Sequence, residues 1–317
     1  MKICGLYPST LHPPALSAAD DDAAAAAQST KLPYVLLEVK AYVANGGDNA
    51  TTASSTTCDG KRVQVTLCRR RPPLVSYVSV HSPDAAEINM EPTILAAEAE
   101  FILLRLIVGA KGHAIRNIDY YIYQAAAAAE AAPSLTLLPR PPAGYHFDAA
   151  KIGILGYHDP DGGRREYILA GVNEACYLRP AGQFDLCLYN SKLQQWRTLE
   201  ASLSPQELKR HGGDDFYHKN CKVVAVGGDA GTMAFVDLWR GIVFCDVLLP
   251  AKDDKGDVIP PLHYVRLPRP LQRNKTLEGD ARVYRNIAVV GDRIKYVELQ
   301  VHYKASVLFL DQFVKNG

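Results

Sequence analysis

From Leu32 onward the chain consists of short runs rich in Val, Ile, Leu and Tyr, separated by clusters of Gly, Asp, Asn and Pro. Such runs at close spacing are typical of many short β-strands joined by turns. Helical patterns are sparse. The clearest begins at Ser204-Pro205-Gln206-Glu207, where a serine cap precedes a proline, and it has room for one or two turns. The sequence therefore predicts an all-β fold with very little helix, although residues 96–108 fit a helix and a strand equally well.

Four pairs of runs are predicted to be hairpins. Asp-Gly and Gly-Asp turns supply the positive φ angles that tight connections between antiparallel strands require. The predicted turns are Asp59-Gly60, residues 159–163, Arg240-Gly241 and Gly291-Asp292.

A weak internal repeat indicates how these hairpins are organised. Residues 134–142 resemble residues 262–270. Residues 184–189, followed by 196–199, have the same pattern, in which an alternating strand with large residues is followed by a segment that leaves the strand. Repeats of about 40 to 50 residues, each contributing about four strands, are typical of a β-propeller. We therefore predict a β-propeller-like array of antiparallel hairpins and short sheets. A β-sandwich, a barrel and a mixed α+β fold remain alternatives, because the repeat spacing is irregular.

Composition divides the chain into two parts and excludes some partners. Residues 1–31 are rich in Ala, Ser, Asp and Pro and predict a disordered, low-complexity leader, and residues 32–317 predict a single domain. The whole chain is 48% hydrophobic and carries 35 basic against 34 acidic residues. With no broad electrostatic field, neither nucleic acid nor an anionic membrane is an expected partner.

Cysteine usage and hydropathy predict a cytoplasmic or nuclear protein. The seven cysteines are an odd number, widely spaced, and none forms a CxxC pair. This favours reduced thiols over a disulfide framework. Prolines interrupt the apolar start, which argues against a signal peptide, and no run approaches the roughly 18 apolar residues of a membrane helix.

Candidate chemical motifs are incomplete. The glycine-rich residues 227–232 lack the Gly-Lys-Ser/Thr ending of a phosphate-binding loop. His211, His218 and Cys221 are metal-ligand types, but their spacing fits no standard zinc pattern and no fourth ligand is placed. The basic residues 69–71 are interpreted as a solvated hairpin end. We expect no catalytic residue, no metal and no cofactor.

The weak binding candidates are Asp237, Trp239, Arg240 and Asp246, in a hairpin predicted from residues 233–239 and 242–249. Strand alternation would put Trp239 on the face of Asp237 and Phe235. In one interpretation the tryptophan is a core plug, with Asp237 and Arg240 fixing the turn. In the other, these residues form a contact patch on a propeller rim, since Trp and Arg often anchor interfaces. The structural plug is the favoured interpretation.

Four stretches resemble a known family: residues 236–250 and 285–303, supported by residues 49–57 and 72–83. They are similar to the grass-expanded plant family called domain of unknown function 1618, over about residues 32–303. That family is similar in layout to the β-propeller regions that follow F-box motifs in plant ubiquitin-ligase adaptors. The resemblance implies a propeller-like fold and a binding role, and it supplies no catalytic residues.

Two departures qualify that resemblance. No F-box pattern is visible in the leader, and the chain ends soon after Tyr303, so a shortened, C-terminally incomplete array is expected. The predicted function is a non-catalytic protein–protein interaction module with an unknown protein partner. The alternative is a small-molecule-binding, sugar-binding or hydrolytic propeller with a central polar pocket.

Overall fold

The strands form consecutive sheets along the chain. The computed structural model describes residues 8–14, 34–84, 88, 90–109, 118–126, 132–159, 165–173, 180–228, 230–248, 251–252, 258–259, 262–271, 279–291 and 293–300. The first sheet contains β1 (Leu36–Leu37), β2 (Tyr42–Val43), β3 (Thr52–Thr56), β4 (Arg62–Cys68) and β5 (Val75–His81). Strands β3, β4 and β5 are antiparallel neighbours, and β1 and β2 both pair with β5 in parallel.

The next two sheets are four-stranded antiparallel meanders. The second contains β6 (Thr93–Glu98), β7 (Phe101–Ile107), β8 (Ile118–Gln124) and β9 (Ser134–Leu137). The third contains β10 (Ile152–His158), β11 (Arg165–Asn173), β12 (Gln183–Asn190) and β13 (Gln195–Ser202). Residues 96–108, which fit helix and strand equally in the sequence, thus belong to β6 and β7.

The fourth sheet is followed by a hairpin. Its strands, in order, are β14 (Lys222–Gly227), β15 (Thr232–Asp237), β16 (Gly241–Asp246) and β19 (Leu262–Arg266). The short strands β17 (Ala251–Lys252) and β18 (Val258–Ile259), between β16 and β19 in the chain, pair with each other. The hairpin consists of β20 (Arg285–Val290) and β21 (Arg293–Glu298). The described helices are α1 (Pro205–Arg210) and three 3-10 turns, Pro8–Leu11, Gly213–Asp215 and Ala281–Val283.

An apolar layer separates each sheet from the next. Successive strand residues point to opposite faces, so one strand can contribute to two layers. On β7, Ile102 and Leu104 pack toward the first sheet, whereas Phe101 and Leu103 pack toward the third. The first strands β6, β10, β14 and β20 contact one another in that order. The predicted mostly-β, propeller-like array is therefore confirmed.

The internal repeat marks equivalent positions in this array. Strands β9 and β19, which form the first part of the two repeated segments, are the fourth strands of the second and fourth sheets. Trp196, which belongs to the third copy of the repeat, lies on β13, the fourth strand of the third sheet. Its indole N–H donates to the carbonyl of Pro139 at 2.8 Å, and its ring stacks on Phe147 at 5.7 Å.

The local signals for helix α1 and two turns are confirmed. The Ser204 hydroxyl accepts the backbone N–H of Glu207 at 3.2 Å, as the predicted cap requires. Gly60 and Gly291 have positive φ angles between paired strands. Strands β10 and β11 pair as predicted, although most of the turn between them lies outside the described residues.

Part of the predicted leader packs on the domain. The 3-10 turn Pro8–Leu11 contacts β2, and the buried Thr10 hydroxyl donates to Glu91 at 2.7 Å. The expectation of a disordered leader over residues 1–31 stays a prediction, since most of these residues lie outside the described part.

The hairpin β20–β21 is attached to the fourth sheet through a buried arginine. The Arg285 side chain is fully buried, and its guanidinium donates to Glu298 at 2.8 Å and to the carbonyls of Leu238 and Pro268 at 2.9 and 3.1 Å. The Tyr296 hydroxyl also donates to Glu298, at 2.5 Å. These bonds compensate for much of the cost of removing the guanidinium from water.

Candidate functional site

Asp237 ends strand β15 and organises the turn that follows. Its carboxylate, on a residue only 2% exposed, accepts the backbone N–H groups of Trp239 at 2.9 Å, Arg240 at 3.2 Å and Lys219 at 2.9 Å. A carboxylate bonded to the backbone two residues on supports a turn in place of continued strand. The strand therefore ends two residues earlier than its hydrophobic pattern predicts.

This early turn moves Trp239 to the other side of the sheet. The prediction that Trp239 shares a face with Phe235 is wrong. Phe235 packs in the layer between the third and fourth sheets, whereas Trp239 packs in the layer between the fourth sheet and the hairpin β20–β21. The alternation stops at Asp237, because its carboxylate captures the backbone N–H groups that would otherwise extend the strand.

Trp239 lies half-buried against the hairpin. Its indole N–H donates to the carbonyl of Gly279 at 3.4 Å, and its ring lies 6.1 Å from that of Tyr284. The buried Arg285 guanidinium is 5.4 Å from the indole centroid, within the range of a cation–π contact. This position between two sheets favours the structural plug, while the functional role of Trp239 stays a prediction.

Arg240 projects from the same turn toward solvent. Its guanidinium pairs with Asp237 at 3.2 Å and lies 4.7 Å from the ring centroid of Tyr217, whose residue is 50% exposed. The structure thus brings three of the four predicted binding residues together. Asp246 is at the opposite end of β16, where it accepts the Thr232 hydroxyl at 2.5 Å.

An aromatic cluster, which sequence reasoning did not identify, lies beside Arg240. Tyr264 on β19 contacts the rings of His211, Phe216 and His218 at 4.8, 5.0 and 6.3 Å. The cluster joins residues about fifty positions apart, so no local sequence pattern marks it.

The two histidines of this cluster are held neutral. Burial lowers the pKa of His218 to about 4, against the opposing effects of Asp237 and Asn220. Although the residue as a whole is partly exposed, both ring nitrogens of His218 are shielded from solvent. Burial, followed by Arg266 and Arg210, lowers the pKa of His211. At neutral pH neither imidazole therefore adds positive charge.

Cys221 does not join these histidines. Its thiol donates to the carbonyl of Val236 at 3.1 Å, and the side chain packs in the layer on the hairpin side of the fourth sheet. Within the described part of the chain, no cluster of three His, Cys, Asp or Glu side chains could hold a metal ion. The five described cysteines are free thiols.

Three arginines lie on elements that border the aromatic cluster, and we call Arg210, Arg240, Arg266 and Tyr217 together the arginine surface. Arg210 ends α1, Arg266 ends β19, and Arg240 lies in the turn before β16. Gly241 pairs with Arg266 across the sheet, which places the neighbouring Arg240 beside it. The surface therefore combines three cations with an exposed aromatic ring.

The first strands of the sheets, which contact one another and form the inner edge of the array, differ from the arginine surface in their charged side chains. Strands β6, β10, β14 and β20 carry one carboxylate, Glu98. It accepts the Gly156 backbone N–H at 2.7 Å and lies 3.7 Å from Arg165. Burial raises the pKa of Glu98.

Among the described helices, none is both long and apolar enough to cross a membrane.

Comparison with known proteins identifies one related segment. Residues 235–314 match the model of a family described as a protein of unknown function, DUF1618. The matched segment is similar to that family, and it contains the four predicted binding residues and the pair Arg285–Glu298. The match covers only part of the expected residues 32–303. No curated protein and no solved structure matches the chain.

Proposed function

We propose that this protein is a non-catalytic protein–protein interaction module that docks its partner on the arginine surface. The observation that carries the proposal is the rigid presentation of Tyr217 and Arg240. Arg240 is held between the buried Asp237 carboxylate and the exposed Tyr217 ring, so little side-chain freedom is lost on binding. Tyrosine and arginine are among the residues that dominate binding energy at protein interfaces.

The finer parts of the proposal follow the family resemblance. We place the protein among plant proteins of the cytoplasm or nucleus, as an adaptor-like relative of F-box-associated propellers. The match of residues 235–314 to a family of unknown function supports a shared domain in this region. A central polar pocket has less support, because Glu98 on the inner strands is already bonded to Gly156 and close to Arg165.

The proposal is tested by comparing partner capture between two matched variants. Tyr217 and Leu193 are both exposed, at 50% and 55%, and Leu193 lies in the turn between β12 and β13, on a different sheet. Tagged wild type, Tyr217→Ala and Leu193→Ala are used for quantitative affinity purification from plant lysate, after thermal melts establish equal folding. We expect proteins enriched by wild type and Leu193→Ala to be lost with Tyr217→Ala. Equal enrichment by all three proteins would contradict docking at this surface.

A further inference from the structure

The three arginines of the arginine surface lie close together although they come from separate segments. Arg210 directly precedes His211, Arg266 lies two residues after Tyr264 on the same face of β19, and Gly241, which pairs with Arg266, directly follows Arg240. The rings of His211 and Tyr264 are themselves in contact at 4.8 Å. The three arginines therefore lie on segments that meet beside one aromatic pair.

Two of these three cations form no ion pair with a described residue, whereas Arg240 pairs with Asp237. Arg210 and Arg266 are exposed and form no ion pair with any described residue. The partner of Arg240, Asp237, is buried and shared with three backbone N–H groups. The guanidinium groups of Arg210 and Arg266 are therefore available to pair with carboxylates of a partner protein.

The nearby carboxylates form no ion pair with Arg210 or Arg266 in the described part of the chain. Glu207 on α1 accepts the Tyr264 backbone N–H at 3.3 Å and lies 3.6 Å from His263. Asp214 and Asp215, in the 3-10 turn after α1, are exposed and form no ion pair with the three arginines. Because Glu207 accepts the backbone N–H of Tyr264 on β19, a partner strand cannot use that donor to pair with this edge of the sheet.

We propose that the arginine surface binds an acidic, extended segment of a partner protein, in which carboxylates alternate with aromatic side chains. The inference rests on the proposed function and names its partner class. Guanidinium groups bind carboxylates through paired, charge-assisted hydrogen bonds. Three guanidiniums on separate segments fit several spaced carboxylates better than one compact anion, and the exposed Tyr217 ring offers a stacking surface between them.

A defined peptide tests this inference. The probe is a fluorescein-labelled peptide of alternating glutamate and phenylalanine, and its charge-reversed control alternates lysine and phenylalanine. Fluorescence anisotropy is measured with wild type, with the double variant Arg210→Glu/Arg266→Glu, and with Arg197→Glu. Arg197 is an exposed arginine on β13 that forms no ion pair with a described residue, so it is a matched control.

We expect the glutamate peptide to bind wild type and Arg197→Glu within about twofold of each other, and to bind more weakly as salt is added. The double variant should bind about 100-fold more weakly, about tenfold for each lost guanidinium contact. Equal binding to the double variant, equal binding of the lysine peptide, or no binding at millimolar peptide would overturn the inference. Displacement by millimolar inorganic phosphate alone would assign the surface to a phosphate group and would also overturn it.

The same variants separate this inference from the proposed function. If proteins captured from lysate are lost with Tyr217→Ala but kept with Arg210→Glu/Arg266→Glu, the docking surface stands and its acidic partner class is wrong. If capture is equal with all variants, the proposed function itself fails.

Discussion

The second and third sheets are joined differently from the fourth sheet and the hairpin β20–β21. Between the second and third sheets the layer is apolar and aromatic, with Phe101 and Tyr167 at 5.1 Å and Leu169 fully buried. The hairpin has a smaller apolar layer and also attaches through the buried Arg285, which donates to the carbonyls of Leu238 and Pro268 and pairs with Glu298 on the hairpin's own second strand. An apolar layer tolerates the loss of one contact better than a buried charge tolerates the loss of its partner. The attachment of the hairpin is thus the more specific and the more fragile of the two.

The largest loss of stability is expected for Arg285→Ala. It leaves the Glu298 carboxylate buried without its cation, so we expect a loss of about 3 to 5 kcal/mol in the free energy of unfolding of the hairpin region. Urea unfolding combined with amide hydrogen exchange of residues 285–298 measures this loss. The control is Arg282→Ala, since its ion pair with Asp280 is exposed and should matter by less than about 1 kcal/mol. Equal effects of the two substitutions would contradict the buried-pair account.

The apolar interface is tested by Leu169→Ala. Removing this fully buried side chain should cost about 3 kcal/mol, through lost apolar contacts and the cavity that remains. Unlike Arg285→Ala, the substitution should lower the stability of the second and third sheets together, since Leu169 lies in the layer between them. Leu193→Ala is the control at an exposed leucine. Hydrogen exchange confined to β11 would argue against a shared layer.

Trp239→Ala examines the boundary between the hairpin and the candidate binding residues. Because the indole is half-buried and contacts Tyr284 and Arg285, we expect a loss of about 2 to 3 kcal/mol, less than for a fully buried tryptophan. Trp239→Phe should retain much of this packing while losing the hydrogen bond to Gly279. A Trp239→Ala protein that melts within about a degree of wild type would reassign the residue to a rim contact.

The layer between the third and fourth sheets should be sensitive to pH through His218. Its folded pKa of about 4 lies below the ordinary histidine value of 6.5, so the unfolded state binds a proton first as the pH falls. Stability associated with His218 is therefore present above pH 6.5 and is lost toward pH 4. Between pH 7 and pH 5 the expected loss is about 2 kcal/mol. Urea unfolding of His218→Phe should show a shallower decline over this window, and an unchanged decline would exclude His218 as its source.

Local signals in the sequence determined the turns, the helix cap and the succession of strands. Asp59-Gly60, Gly291-Asp292 and the Ser204 cap act within a few residues, through backbone angles and short-range hydrogen bonds, so the pattern alone predicted them. The repeat likewise marked equivalent strands, since β9, β13 and β19 are the fourth strands of three successive sheets.

Several features of the candidate site depend on contacts between separate segments, which strand periodicity does not encode. Trp239 changed layers because the buried Asp237 carboxylate turned the chain, and Asp246 was separated from the other candidates by the length of β16. The arginine surface and the Arg285–Glu298 pair join segments that are distant in sequence or separated by a turn. Whether an arginine is buried with a carboxylate or exposed beside an aromatic ring depends on which sheets pack together, and that packing is a long-range property of the fold.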